Sequence, residues 1–207
     1  MKVVLLNGSP HQNGCTNRAL LEIANELNKN GIESEIVWMG KNVQSGCIDC
    51  RSCATTGKCV FANDIVNDLL PKVLEADGFI VGSPVYYANV NGSLLSLLDR
   101  LFILNKGRFR HKFGCAVVSA RRGGTTASLC EIEKFFQIAE MPIVSSTYWN
   151  MVHGNTPEQV EQDEEGLQTM RNIARNLAYL LKCKEAGLKA GILPPERDAS
   201  RRTNFVK

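Results

Sequence analysis

The sequence predicts an α/β domain built on a doubly wound, five-stranded parallel sheet with helices on both faces. Three observations carry this prediction: short apolar, β-branched runs alternate with longer segments of helical period, the alternation recurs five times, and polar, glycine-containing segments fall directly after the apolar runs. The strands are expected at Val3–Asn7, Ser34–Trp38, Phe79–Gly82, Gly114–Ser119 and Ile143–Thr147. Between them, Thr16–Lys29, Ile65–Glu75, Gly92–Leu104 and Thr125–Glu140 place apolar side chains three and four apart, with Asp64 and Asn91 near helix starts. A last helix, from about Pro157 to Lys184, opens with Thr156-Pro157-Glu158, a capping residue followed by proline and an acid. Right-handed crossovers permit two common strand orders, and in both a ligand sits at the carboxyl ends of the strands. Chemistry is therefore expected in the loops that follow them.

A length of 207 residues with 44% hydrophobic content suits one substantial core rather than two. A single domain over 1–207 is expected, with a cysteine-rich insertion at about 40–63 and a tail at about 191–207. The formal charge is +3, and 24 basic residues are interspersed with 21 acidic ones, so neither a nucleic-acid nor an anionic-lipid footprint stands out. The opening Met1–Asn7 is too short for a signal peptide, and no stretch approaches the ~20 apolar residues that span a bilayer. A soluble, cytoplasmic protein with a small substrate is expected.

The first loop, Asn7-Gly8-Ser9-Pro10-His11-Gln12-Asn13-Gly14-Cys15-Thr16-Asn17, leads from a strand into a helix. A helix N-terminus offers free N–H groups and the positive end of its dipole to a phosphate. Ser9, Thr16 and Asn17 can donate from short side chains and His11 adds a further donor, while Gly8 and Gly14 allow tight turning. Neither the dinucleotide nor the nucleoside-triphosphate glycine fingerprint is present. The other reading is a polar turn with Thr16 as a helix cap. After the third strand, Pro84, Val85, Tyr86 and Tyr87 can offer an apolar and aromatic face, and, proline excepted, backbone N–H groups; the tyrosines also suit a half-buried surface pair. Arg121-Arg122-Gly123-Gly124 after the fourth strand reads as a close-approach turn beside positive charge, or as a solvated basic turn. Trp149 and Asn150 fall near the same rim.

Four of the eight cysteines crowd into thirteen residues. Cys47, Cys50, Cys53 and Cys59 give the spacing C-x2-C-x2-C-x5-C, which suits the corners of a [4Fe–4S] cube better than a zinc tetrahedron built on two separated C-x2-C pairs. A structural zinc, a set of free or disulfide-forming thiols, and a remnant motif that no longer loads metal remain open alternatives.

Taken together, Gly8-Ser9-Pro10 with Gly14-Cys15-Thr16-Asn17, Ser83-Pro84-Val85-Tyr86-Tyr87 with Asn89-Val90 and Gly92, and Arg121-Arg122-Gly123-Gly124 resemble the flavodoxin-like NADPH-dependent FMN reductases. The cysteine segment resembles the compact motif of that family's iron–sulfur flavoprotein branch. The resemblance implies that Ser9, His11, Asn13, Cys15, Thr16 and Asn17 hold the FMN phosphate, and that Pro84, Val85, Tyr86, Tyr87, Asn89, Arg121, Arg122, Gly123 and Gly124 embrace the isoalloxazine. His11 departs from the pattern, since relatives often carry arginine there. NAD(P)H is implied as donor, with electrons passing in pairs to the flavin and singly to a cluster at the four cysteines, then to a small molecule or small electron carrier. A homodimer or homotetramer is implied as well, with the 40–63 loop and the basic tail as arms. Two other readings stay open: a cluster-free reductase of quinones, nitroaromatics, metal ions or another flavin, and a non-catalytic electron carrier or flavin-dependent regulatory module.

Overall fold

The computed structural model describes residues 1–198 together with 201, 203 and 205. Its elements are β1 (Lys2–Asn7), α1 (Cys15–Lys29), β2 (Glu33–Trp38), α2 (Cys53–Thr56), α3 (Val66–Glu75), β3 (Gly78–Tyr86), β4 (Asn89–Val90), α4 (Gly92–Asn105), β5 (Phe113–Ala120), α5 (Thr125–Ile138), β6 (Met151–His153), α6 (Pro157–Val160) and α7 (Glu164–Lys189). Five strands pair in parallel in the order β2-β1-β3-β5-β6. This is the flavodoxin-like order, with a switch point where β1 lies between β2 and β3.

The central strands are apolar on both faces because both faces are covered. Alternation along β1 sends Val4 and Leu6 to one side, where they join Leu69, Val73, Leu97, Leu101, Ile132 and Phe136 from α3, α4 and α5. Val3 and Leu5 go to the other, among Leu20, Ile23, Leu27, Met170, Ile173 and Leu177 from α1 and α7. Two ion pairs strap these last helices together, Glu22 with Arg171 and Glu26 with Arg175. Among the described residues, no helix is long and apolar enough to cross a membrane.

Two expected elements are corrected. The segment Ile143–Thr147 is not the fifth strand: it touches the sheet through one bridge, Gly114 with Ile143. Its polar groups are claimed by α7 instead, since Asn176 donates to the Ser145 carbonyl at 2.9 Å and the Ser146 hydroxyl donates to the Thr169 carbonyl at 2.8 Å. The fifth strand is β6, which pairs Met151–His153 with Val118–Ala120. The expected helix Pro157–Lys184 is two helices. Thr156 caps α6, which ends at Val160, and the Asp163 carboxylate accepts from the Gly166 N–H at 2.9 Å and from the His153 N–H at 2.6 Å, so that one side chain starts α7 and ties it to β6.

The segment expected as an open loop after the third strand is a hairpin. β3 continues to Tyr86, turns through Tyr87 and Ala88, and returns antiparallel as β4. Both turn residues have positive φ, 51° and 59°, the conformation that a two-residue type I′ turn demands and that asparagine and glycine adopt more cheaply. The residues expected as a tail fall partly outside those described; Ile192–Asp198 are exposed and carry no regular structure, and Arg197 pairs with Glu140 at 3.1 Å.

Candidate functional site

A cavity of about 780 Å³ opens at the carboxyl ends of the strands, within the size range of ligand pockets. Its floor is the first loop, which its own hydrogen bonds pre-shape. Asn7 accepts from the Ser9 N–H at 3.1 Å and donates to the Gln12 carbonyl at 3.0 Å, and the Ser9 hydroxyl accepts from the His11 N–H at 3.1 Å. Gly8 passes so close to its neighbours that a Cβ there would stand 2.4 Å from Leu94 Cδ2 and 2.7 Å from the Gly82 carbonyl oxygen. Asn91, the cap of α4, donates to the Gly8 carbonyl at 2.8 Å, and Trp38 Nε1 donates to the Ser9 carbonyl at 2.8 Å.

The loop delivers α1 with its N-terminus at the cavity. No side chain caps this helix and no acid stands in its first turn. Its leading N–H groups and the positive dipole end are thus left for an anion. Thr16 is buried and shares a 2.8 Å hydrogen bond with the Ser119 hydroxyl, which fixes the start of α1 against the end of β5. Cys15 Sγ lies 3.6 Å from the Gly154 carbonyl oxygen, and burial pushes its thiol pKa up, so that it meets the cavity as a neutral group.

Of the residues expected at this site, Ser9, His11, Asn13, Cys15, Thr16, Pro84, Val85, Tyr86 and Arg121 line the cavity. Burial raises the Tyr86 phenol, which stays protonated. Asn17 follows Thr16 in the first turn of α1 but is not part of the lining. Tyr87 is fully exposed at the tip of the hairpin, Asn89 turns its side chain onto the Val90 N–H, and Arg122 and Gly123 face solvent. Gly124 has φ 91°, and a Cβ there would stand 2.5 Å from Ala88 Cα. It lets the turn before α5 pack against the hairpin, which acts on the cavity through Val85. Sequence reasoning missed Gln12, Trp38, Lys41, Ser119, Ala120 and the segment Gly154–Pro157, all of which line the cavity. Strand order could have found Trp38 and Lys41, because β2 ends beside β1 and its following segment borders the first loop.

The four cysteines of the insertion are brought to a second cavity, of about 240 Å³. Cys47, Cys50, Cys53 and Cys59 all line it, with Arg100, Ile103 and Leu104 of α4 forming the opposite wall. The lining thiols suit a soft metal centre. Among the described residues no three ligating side chains stand together at metal-binding separation, and all eight thiols are free. Helix α4 contacts both regions: Asn91 at its start holds the first loop and Arg100 reaches Cys59, about 14 Å further along the helix axis at 1.5 Å per residue.

Comparison with known proteins agrees with this geometry. The sequence profile described as NADPH-dependent FMN reductase matches residues 1–156. An iron–sulfur flavoprotein of Methanocaldococcus jannaschii is 35% identical over 190 residues, covering 88% of this chain and 98% of the relative. An iron–sulfur flavoprotein of Methanosarcina thermophila is 30% identical over 189 residues, covering 88% and 96%. Among solved structures, RosB, determined with 8-demethyl-8-formylriboflavin-5'-phosphate bound, superposes with a TM-score of 0.73 at 14% identity, covering 100% of this chain and 92% of its own. A flavodoxin from the domain Archaea gives 0.60 at 16% identity, covering 88% and 99%. These structural likenesses establish the flavodoxin-like fold. By its sequence, the chain belongs to the NADPH-dependent FMN reductase family of flavin-binding oxidoreductases, in the branch whose relatives are named iron–sulfur flavoproteins.

Proposed function

We propose that this protein is an FMN-dependent NAD(P)H oxidoreductase that passes electrons through a [4Fe–4S] cluster to a small molecule or a small electron carrier. The observation that carries the reading is the uncapped, acid-free N-terminus of α1 at the floor of a ligand-sized cavity, with a second cavity ringed by four thiols in the same fold. When bound, the flavin supplies conversion between two-electron and one-electron transfer, and a cluster supplies a one-electron outlet.

The residues divide the work by position. The α1 N-terminus, Ser9 and Thr16 hold the terminal phosphate, with Asn13 and His11 at the loop rim. Pro84, Val85 and Tyr86 supply the face and backbone edge for the ring, and Trp38 keeps the first loop closed through its bond to Ser9. Arg121 brings positive charge to the same cavity, which favours an anionic, electron-rich ligand, and Lys41 adds to it. Nothing in this lining offers a separate adenosine site, so a mononucleotide fits better than a dinucleotide. Cys47, Cys50, Cys53 and Cys59 are the cluster ligands, and closing them onto a metal centre requires the insertion to draw together around the cavity they already share.

A homodimer or homotetramer completes the proposal. Val43, Ile48 and Val60 in the insertion and Ile192, Leu193 and Phe205 near the C-terminus are exposed apolar side chains, as expected of arms that cover a neighbour. Light scattering of the flavin-loaded protein should give a dimer or tetramer mass, and a monomer would remove this part of the proposal.

Anaerobic stopped-flow mixing with NADH and with NADPH tests the catalytic reading. The flavin absorption should bleach within the turnover time with at least one nucleotide. A flavin that stays oxidised for minutes with both would make the protein a carrier. Iron and acid-labile sulfide assays on protein purified without oxygen test the cluster, with four of each per chain expected and none pointing to the cluster-free reductase.

A further inference from the structure

Arg100 is the largest fully buried side chain among the described residues, 2% exposed, in the middle of helix α4 on the buried stripe it shares with Leu97, Leu101 and Leu104. A buried guanidinium is tolerated only where its charge and donors are matched. Its partners come almost entirely from the short segment between the last cysteine and α3. Nη2 donates to the Asp64 carboxylate, itself nearly fully buried, and the guanidinium carbon lies 5.6 Å from the centre of the Phe61 ring. Nε donates to the Ser96 carbonyl of its own helix at 3.4 Å. Nη1 donates to Cys59 Sγ at 3.7 Å.

Cys59 is held by its backbone as well. Its N–H donates to Asn67 Oδ1 at 2.8 Å and its carbonyl accepts from Asn67 Nδ2 at 3.1 Å. Asp64 also accepts from the Val66 N–H at 3.0 Å at the start of α3. Thus α3 clamps the Cys59 main chain while α4 addresses its sulfur. The Cys50 sulfur is met by the Ser52 N–H and hydroxyl, neutral donors from its own loop that hold its thiol pKa below the ordinary value; among the described residues, no hydrogen bond from a charged side chain reaches the sulfur of Cys47, Cys50 or Cys53. The fourth cysteine, separated by five residues from the compact triplet, is the pre-placed one.

We propose that Arg100 is a positioning residue that fixes Cys59 as the anchor ligand and, through its hydrogen bond and charge at that sulfur, raises the reduction potential of the centre held there, with Asp64 as the opposing charge that limits the rise. The inference rests on the cluster reading given above. A positive donor at a ligating thiolate stabilises the reduced, more negative form of a cluster, and a nearby carboxylate destabilises it. Arg100 addresses the sulfur directly and Asp64 offsets the charge of Arg100 from its other nitrogen, so removing one and removing the other should move the potential in opposite directions.

The test is anaerobic redox titration of reconstituted wild type, Arg100→Lys, Arg100→Gln, Asp64→Asn and the double variant Arg100→Gln/Asp64→Asn, with iron and sulfide content measured on each. The Asp64→Asn potential should lie above that of wild type, Arg100→Gln below it, and Arg100→Lys between Arg100→Gln and wild type. The double variant buries no unpaired charge, which guards against a failure to fold, and its potential should lie below that of Asp64→Asn. An Arg100→Gln protein that keeps its circular dichroism spectrum but loses iron, while Arg100→Lys retains it, also supports the anchor role. Full loading with unchanged potentials across the set, or shifts of the same sign in Asp64→Asn and Arg100→Gln, overturns the proposal while leaving the cluster reading intact. A wild-type protein that loads no iron and sulfide overturns both.

Discussion

Replacing Gly124 with alanine tests how the cavity wall is built. Gly124 has φ 91°, a left-handed conformation that costs an L-residue about 1–2 kcal/mol. The added Cβ would stand 2.5 Å from Ala88 Cα, 2.9 Å from Ala88 Cβ and 3.0 Å from Val85 Cγ1. The closest of these is backbone, held in a tight turn between β3 and β4, so the conflict cannot be relieved by swinging one flexible side chain. Overpacking of this kind adds about 1–3 kcal/mol. Together the two effects predict a loss of about 3 kcal/mol, or a fall in Tm of about 6–12 °C for a chain of this size. Because the hairpin must yield, and Val85 lines the cavity, FMN affinity should fall too. Gly123 next door is the control: a Cβ there meets nothing within 4 Å, so Gly123→Ala should stay within about 0.5 kcal/mol of wild type. Urea denaturation of the two apo-proteins, followed by FMN titration, makes the comparison. A Gly124→Ala protein as stable as Gly123→Ala would refute the close packing of this turn against the hairpin.

The remaining predictions concern the loop floor and the helix layer. Ser9→Ala or Thr16→Ala should weaken FMN binding by about 1–3 kcal/mol, a rise in Kd of roughly 5-fold to 150-fold, through a lost charge-assisted hydrogen bond; titration with unchanged affinity in both variants would move the phosphate elsewhere. Trp38 lines the cavity and Trp149 does not, so FMN should quench tryptophan emission strongly in wild type and much less in Trp38→Phe, which also loses the bond to the Ser9 carbonyl. Equal fractional quenching in the two proteins would contradict this placement. Glu26 accepts from Arg175 Nε at 2.7 Å, and this bond, aided by Lys29, holds its carboxyl below the ordinary value of 4.5. A depressed carboxyl stabilises the fold above its ordinary pKa and loses that contribution as pH falls through the lowered one. Glu26→Gln should therefore reduce stability at neutral pH, by under about 1 kcal/mol because Arg175 is half exposed, and the difference should vanish in acid. A difference that persists undiminished in acid would assign it to packing.

The sheet was legible wherever strands are long and buried on both faces. β1, β3 and β5 announce themselves as apolar runs because helices cover both sides of them. The edge was not. β6 is three residues long, too short for a periodic signal, whereas Ile143–Thr147 has β-branched residues whose backbone and hydroxyl groups are bonded by α7. The split of the last helix turned on Asp163, whose capping role depends on the Gly166 and His153 N–H groups rather than on local pattern.

At the site, the glycine-rich first loop and the residues before the hairpin tip were legible as chemistry because they interrupt strand and helix periods with polar and special-conformation residues. Trp38 and Lys41 were not, since their relevance comes from β2 lying beside β1 in space. Arg121 and Arg122 are equivalent in sequence, and only the direction of the turn sends the first to the cavity and the second to solvent. Arg100 carried a readable signal. It occupies the same stripe of α4 as Leu97, Leu101 and Leu104, where a charge needs a buried partner, but the partner's identity depends on how the cysteine insertion folds back.

The central claim, that the cavity over the α1 N-terminus is a flavin mononucleotide site, is tested most directly by the flavin itself. Protein purified without oxygen, or reconstituted with a mixture of FMN and FAD and then desalted, should release on denaturation one FMN per chain and little FAD when the supernatant is separated by chromatography. Recovery of mainly FAD, or of no flavin after incubation with both, would contradict it.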